Sequence, residues 1–447
     1  MPVRKREAAK ILFGMIFLVS LLSIVQTAEA GGIRAWGIGA RATSKGGAFV
    51  GEADDWTAIF WNPAGLATLK RSSVAVEPGF FFIKTQDGSS FNNYDTNTRS
   101  IYHGDIFPRV YNIPGLAVEP TRFKKIENVY KGASPYSSAG GNIHLKYLDI
   151  GFGAYCPANI ATDWKDSMKD LVNNAEIDAR YFATQQIFVY NVSVAKEIVP
   201  RLFVGAGFNL LDANTKLKAK KSYNSVAAPA LNYNMSLEER AFGQGYEGEF
   251  GLLYHIIENK VSVGGTYRTG ARVHLDGEAD VTNTVLLDSE HSDYSQTLDY
   301  PSGFAVGVSC KPIEKLTLNL DWTRDDWHRY DRKISYQYQG LLLQNVDINW
   351  GWKISNQVGF GAEYFYKPEF ALRAGLRWDQ SPQSPETVSI ANVTDLDKIW
   401  YTAGLGYKKG NFDYDFAFFT APATERINNV KYWGTAFNWT FALKYSF

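Results

Sequence analysis

The sequence predicts an all-β protein, a transmembrane antiparallel β-barrel of about fourteen strands whose lumen is plugged by an N-terminal hatch. Three observations predict it. Over the last sixteen residues Trp433, Phe437, Trp439, Phe441, Leu443, Tyr445 and Phe447 take every second position, with Thr435 the one interruption, while Gly434, Ala436, Asn438, Thr440, Ala442, Lys444 and Ser446 lie between. One face is aromatic and the other small and polar, the period of a strand set between lipid and a wet interior. Beyond Gly31 no run of about 18 apolar residues occurs, so a membrane crossing has to be a closed barrel, which satisfies every backbone polar group internally. Long and short connections alternate along the chain, as they do when one rim of a barrel faces outside and the other the periplasm.

The elements follow in chain order. Arg4, Lys5, Arg6 and Lys10 precede an apolar run from Ile11 to Val25, and Ala28-Glu29-Ala30 supplies a small-x-small cleavage site, so residues 1–30 read as a signal peptide. The alternative, an uncleaved anchor helix, is short for a bilayer span. Residues 31–72 are glycine-rich and unlike a strand, with Gly31, Gly32, Gly37, Gly39, Gly46, Gly47, Gly51 and Gly65. They read as the plug that a lumen of this width needs. Residues 73–447 then form the barrel.

Further ladders run through Leu202–Leu210, Phe304–Val308, Leu316–Trp322, Val358–Tyr366, Phe370–Trp378, Tyr401–Tyr407 and Phe412–Phe418. Short turns fall near Tyr147 and at 198–201, 257–260, 312–315, 367–369 and 408–411. The long connections cover roughly 86–138, 157–179, 222–241, 277–293, 331–349, 380–396 and 421–431. Within two of these the spacing predicts helix, at Trp164, Met168, Leu171 and Val172, and at Met235 and Leu237 beside Leu231. These apolar residues either pack over the barrel mouth or form a loop groove for a ligand. Among the residues alternating with the outer ladders, Asp321, Glu363, Arg373 and Arg377 face the lumen; they either pair with one another and with the hatch near Arg41, Asp54 and Asp55, or an arginine binds a carboxylate.

The composition excludes several functions. Lys plus Arg equals Asp plus Glu at 46 each, which gives no electrostatic footprint for nucleic acid. None of the six histidines has a metal-ligand spacing, and no nucleophile elbow or Walker loop occurs, so no metal, cofactor or enzymatic activity is expected. Cys156 and Cys310 are expected too far apart to bridge.

Ala42, Gly46-Gly47-Ala48, Ala53-Asp54-Asp55 and above all Asn62-Pro63-Ala64-Gly65 resemble the hatch of the FadL family of outer-membrane transporters for long-chain fatty acids, including its TodX-type relatives for aromatic hydrocarbons. Tyr300–Phe304, Trp327–Tyr330 and Leu372–Asp379 followed by Ser381-Pro382 extend the resemblance over nearly the whole chain, with one departure at Val393–Lys398. The resemblance implies passive uptake of a hydrophobic small molecule by a protein of the Gram-negative outer membrane. Capture occurs in a loop groove, binding in an internal pocket, and release sideways at a kink in the third strand. Gly31 and Gly32 would then form an N-terminal gate beside the pocket. Gly151 and Gly153 either make the kink or let the hatch approach the wall. The expected contacts are outer-membrane lipid and lipopolysaccharide, around a monomer. A second reading keeps the barrel but has it dock a partner protein in secretion or assembly; an open polar porin conflicts with the plug.

Overall fold

The computed structural model describes residues 37–87, 123–171, 174–284, 288–340, 342–349, 351–384, 395–427 and 430–447. The leader, Gly31, Gly32 and Val172 lie outside the described residues.

The hatch carries two short helices, α1 (Ala40–Thr43) and α2 (Ala58–Trp61), and a 3-10 turn (Pro63–Thr68). After it come β1 (Ser73–Asp87), β2 (Phe123–His144), β3 (Asp149–Asp170), β4 (Ala175–Val199), β5 (Leu202–Ser225), β6 (Tyr233–Ile257), β7 (Val261–Arg268), β8 (Ala271–Asn283) and β9 (Asp288–Tyr300). The second half adds β10 (Ser302–Ile313), β11 (Leu316–Asp326), β12 (Asp331–Tyr336), β13 (Val346–Asn349), β14 (Ile354–Lys367), β15 (Phe370–Asp379), β16 (Lys398–Lys409), β17 (Phe412–Ile427) and β18 (Val430–Ser446).

Fourteen of these close a ring of antiparallel pairs, β1 through β7, then β10, β11, β14 through β18, and back to β1. The seam runs from Ser73 opposite Ser446 to Asp87 opposite Tyr432. The C-terminal alternation divides as the pattern dictates: Asn438, Thr440 and Ala442 are buried inward, while Trp433, Phe437 and Phe441 are exposed. The other strands, β8, β9, β12 and β13, continue the wall upward from β7, β10, β11 and β14 and pair beside β6 as an outer lobe. All four strands break at one level. Thr269-Gly270, Pro301, 327–330 and 351–353 interrupt them, with Gly270 and Gly351 at φ of 71° and 59°. Each break resets the alternation: Ala305 and Ser309 face inward on β10, but Leu298 and Tyr300 do so on β9.

The long connections are therefore shorter than expected, and the helices predicted in two of them are strand. Trp164 and Met168 belong to β3, opposite Tyr181 and Ile177 of β4. Leu171 is exposed at the turn after it. Met235 and Leu237 belong to β6, opposite Lys221 and Ala219 of β5, and are buried inward. Leu231 alone keeps a helical turn, the 3-10 segment Pro229–Leu231. Separations of two and four residues fit a strand as well as a helix, because both return to the same face of a period-two element. What hid the strands was their outer face, polar here because it stands clear of the apolar belt: Lys218 and Arg240 both bind Glu238, the first at 2.8 Å.

Candidate functional site

The hatch is held to the wall by backbone and small residues. Asn62 caps the 3-10 turn by accepting from Ala64 N at 3.2 Å, and its amide donates to Val50 O at 3.0 Å and to Leu252 O of β6 at 2.9 Å. Pro63 fits the first position of that turn, where no backbone donor is needed. Such close approach requires a wall without side chains: a Cβ on Gly251 would overlap Asn62 Oδ1, and one on Gly205 would overlap the Pro63 carbonyl and Ala64 N. Gly65 likewise lies against the Ala53 carbonyl, with no room for a side chain. Removing the amide as Asn62→Ala is expected to lower the stability of the seated hatch by about 1–3 kcal/mol, since buried partners are left unsatisfied. Urea titration of the micellar protein followed by hatch proteolysis measures it; an unchanged midpoint would show that the amide holds nothing.

Charge fixes the other end. Phe49 N and Val50 N donate to Asp321 Oδ2 at 2.5 and 2.6 Å. Arg41 of α1 reaches Glu52 at 2.6 Å, Asp54 at 2.5 Å and Glu363 of β14 at 3.0 Å. Glu363 also accepts from Arg373 at 2.6 Å, and Arg373 continues to Asp415 at 2.5 Å. Burial disfavours the Arg41 charge, yet the carboxylates of Asp54, Glu363 and Glu52 outweigh it and hold its pKa above the usual arginine value. Arg377 donates to Gln357. Asp321, Glu363 and Arg373 thus all engage the hatch or its partners. Below them a cavity of about 280 Å³, lined by Arg41, Asp54, Asp55, Arg373, Asp413, Asp415 and Lys444, opens toward the short turns.

Above this charged floor an apolar cluster runs through the interior, beside a few buried and paired carboxylates such as Glu249, bound to Arg268 at 3.2 Å, and Glu239, which accepts from Tyr336 at 2.5 Å. One continuous buried cluster joins Phe49, Phe60 and Trp61 of the hatch to Ile187, Leu211, Met235, Leu237, Leu275, Leu298, Trp327 and Leu343 of the walls and lobe. Trp164, Met168 and Leu231 contribute backbone positions on the rim.

Where the apolar column meets the hatch, the wall is incomplete. Between β2 and β3 the pairing runs from Phe123 opposite Asp170 to Lys131 opposite Asp163, stops, and resumes at Ser138 opposite Tyr155. On the other side of β3, the register to β4 shifts between Tyr155 and Ala158. Tyr155, at the lower lip, is buried and lies edge-on to Phe60 of α2 at 5.6 Å. Arg268 of β7 holds Phe60 from the opposite side, over its ring at 4.5 Å and through its carbonyl. Gly151 and Gly153 stand below the break, paired in register with Asn142 and Gly140. A Cβ at either would press on Ile59 of the hatch. No periodicity argument finds the break, but Pro157, which has no N–H for a strand ladder, marks it in the sequence.

A closed barrel with an outward aromatic belt and a buried N-terminal plug defines the class: a plugged outer-membrane β-barrel. The chain belongs to the OMPP1/FadL/TodX family of outer membrane transport proteins, whose model matches residues 21–431. It is therefore a transport protein of the Gram-negative outer membrane. A candidate outer membrane protein of Neisseria meningitidis serogroup B is 22% identical over 403 residues, 83% of this chain and 81% of the relative. A long-chain fatty acid transport protein of Escherichia coli O6:H1 is 22% identical over 58% of this chain and 63% of its own length. In fold the chain is similar to a Pseudomonas aeruginosa FadL homologue, with a TM-score of 0.67, 14% identity and coverage of 95% of this chain and 99% of that one. It is similar as well to the Pseudomonas putida toluene transporter TodX, with a TM-score of 0.66, 14% identity and coverage of 92% and 99%.

The outward face follows from this placement. Leu252 of β6 is exposed between Phe250 and Tyr254, also exposed. Leu252→Arg is expected to cost about 2–4 kcal/mol if the side chain lies at mid-membrane. The temperature at which the folded band is lost on a gel reads it; full heat resistance would place this face elsewhere.

Proposed function

We propose that this protein takes up hydrophobic small molecules, long-chain fatty acids or aromatic hydrocarbons, passively, and releases them sideways into the membrane between β2 and β3. The observation that carries the reading is the change of interior chemistry at the hatch. A ligand in the lobe and upper lumen touches the apolar cluster, where each buried methylene gains about 0.8 kcal/mol. Further down it would meet Arg41, Glu363, Arg373 and Asp415, and displacing ion pairs there costs several kcal/mol. The β2–β3 break lies at that boundary, beside Phe60 and Tyr155. Leaving through the wall also avoids water, in which such a molecule barely dissolves.

Capture is assigned to the rim near Leu171, Trp164, Met168 and Leu231, and passage to the inward Met235 and Leu237. Gly31 and Gly32, outside the described residues, are assigned the gate on the family resemblance alone. Cells lacking the protein are expected to take up labelled oleate or toluene more slowly than cells that carry it. Equal uptake across a panel of such compounds would refute the reading.

A further inference from the structure

Where the strands break at Pro301 and 327–330, four aromatic rings meet inside the wall. Tyr300 and Trp327 are 6.2 Å apart, Trp327 and Tyr330 5.6 Å, Trp327 and Trp352 5.4 Å, and Tyr330 and Trp352 4.5 Å. Trp327 is 1% exposed and Trp352 4%. Each carries a buried indole N–H that meets no acceptor among the described residues. Other buried tryptophans of this protein are satisfied: Trp61 donates to Ile38 O at 2.8 Å and Trp400 to Asp379 at 3.2 Å. An indole N–H can only donate, and a buried donor left without an acceptor forfeits about 1–3 kcal/mol. Other buried polar atoms, such as Asp331 Oδ1 and Ser355 Oγ, also lack a partner among the described residues, but here two donors stand side by side in one ring cluster.

Their position supplies a use. Both rings belong to the apolar column. A cavity of about 460 Å³, within the range of small-molecule sites, notches the wall at this level; exposed Tyr267, Arg272 and Arg329 line its mouth, and Tyr300 and Tyr330 separate it from the two tryptophans. We propose that Trp327 and Trp352 form a polar subsite in the column that selects cargo bearing an uncharged oxygen acceptor, such as a long-chain alcohol, over bare hydrocarbon. The inference rests on the uptake reading above. The acceptor is uncharged because the ring cluster itself contains no cation, and an unpaired carboxylate loses several kcal/mol on burial. Arg272 and Arg329 line the adjoining cavity together with Asp299 and Asp326, but Arg272 is bound to Asp299 at 2.7 Å, and Arg329 is exposed.

The test uses the full mature chain in detergent micelles with 15N-indole tryptophan, its two signals assigned through Trp327→Phe and Trp352→Phe. Dodecan-1-ol is expected to move both indole signals downfield, as hydrogen bonding does, while dodecane leaves them in place. Each phenylalanine variant is expected to bind dodecan-1-ol about tenfold more weakly and dodecane unchanged. If dodecane binds but dodecan-1-ol moves neither signal, or if the variants weaken both probes alike, the subsite is overturned and the uptake reading stands. If neither probe binds the wild-type protein, both fall. The wild-type signals decide the matter even where a variant fails to fold.

Discussion

Deletion of Pro157 is expected to close the side of the barrel and reduce uptake of hydrophobic compounds at least tenfold while leaving the protein folded. The registers give the reason. From Tyr155 to Ala158, β3 advances three residues while β4 advances two, Val189 to Ile187. From Tyr155 to Asp163, it advances eight while β2 advances seven, Ser138 to Lys131. One extra residue on β3 thus accounts for the register offset at this level on both flanks, the arrangement of a β-bulge. Removing it brings both ladders back into step, and because the pairs above and below are already formed, no strand has to slip. The expected gain is β2–β3 pairing across the present gap, visible as slowed exchange of the amides within 132–137 that turn toward β3, Pro135 having none. Slowed exchange with undiminished uptake would eliminate the sideways route.

Glu363→Ala is expected to destabilise the seated hatch by about 3 kcal/mol, the low end for breaking a buried pair. Both arginines that touch Glu363 keep a second carboxylate, Arg41 at Asp54 and Arg373 at Asp415, which is why the cost is not larger. The barrel itself should persist, since β14 is held to β11 and β15 through its backbone. Glu363→Gln, which retains an acceptor, should lose less. Protease accessibility of residues 37–68 and ion conductance in planar bilayers separate the outcomes. A sealed, protease-resistant Ala variant would mean that the backbone contacts at Asp321 and Asn62 suffice.

Much of the barrel was legible because lipid demands a rule with few exceptions. The six short turns fall where hydrophobic alternation stops, as at Lys367–Glu369 between β14 and β15, and the seam strand β18 could be read residue by residue. The outer lobe was not legible, for two physical reasons. Its outward positions, such as Arg272, His274 and Asp276 of β8, face water, so burial constrains one face and leaves half the signal. The breaks at Gly270, Pro301 and Trp327–Tyr330 also shift the phase, so a pattern followed upward from the belt ends at each of them. The hatch motif was legible as Asn62-Pro63-Ala64-Gly65, but its partners were not: Leu252 and Val50 contribute carbonyl oxygens, which any residue has. The same holds for Asp321, whose Oδ2 accepts from two backbone amides. Trp327 could be quoted from the sequence, whereas the lack of an acceptor for its N–H could not.

The seam between β1 and β18 joins the two ends of the barrel, and Phe447 N donates to Ser72 O at 2.9 Å, immediately after the hatch. A cylinder this tightly filled cannot be loaded once shut. The earliest-made part of the mature chain must therefore be curled within the nascent sheet before the last strand docks, and a substitution that delays its seating should appear first as sluggish insertion into the bilayer, earlier than any loss of traffic.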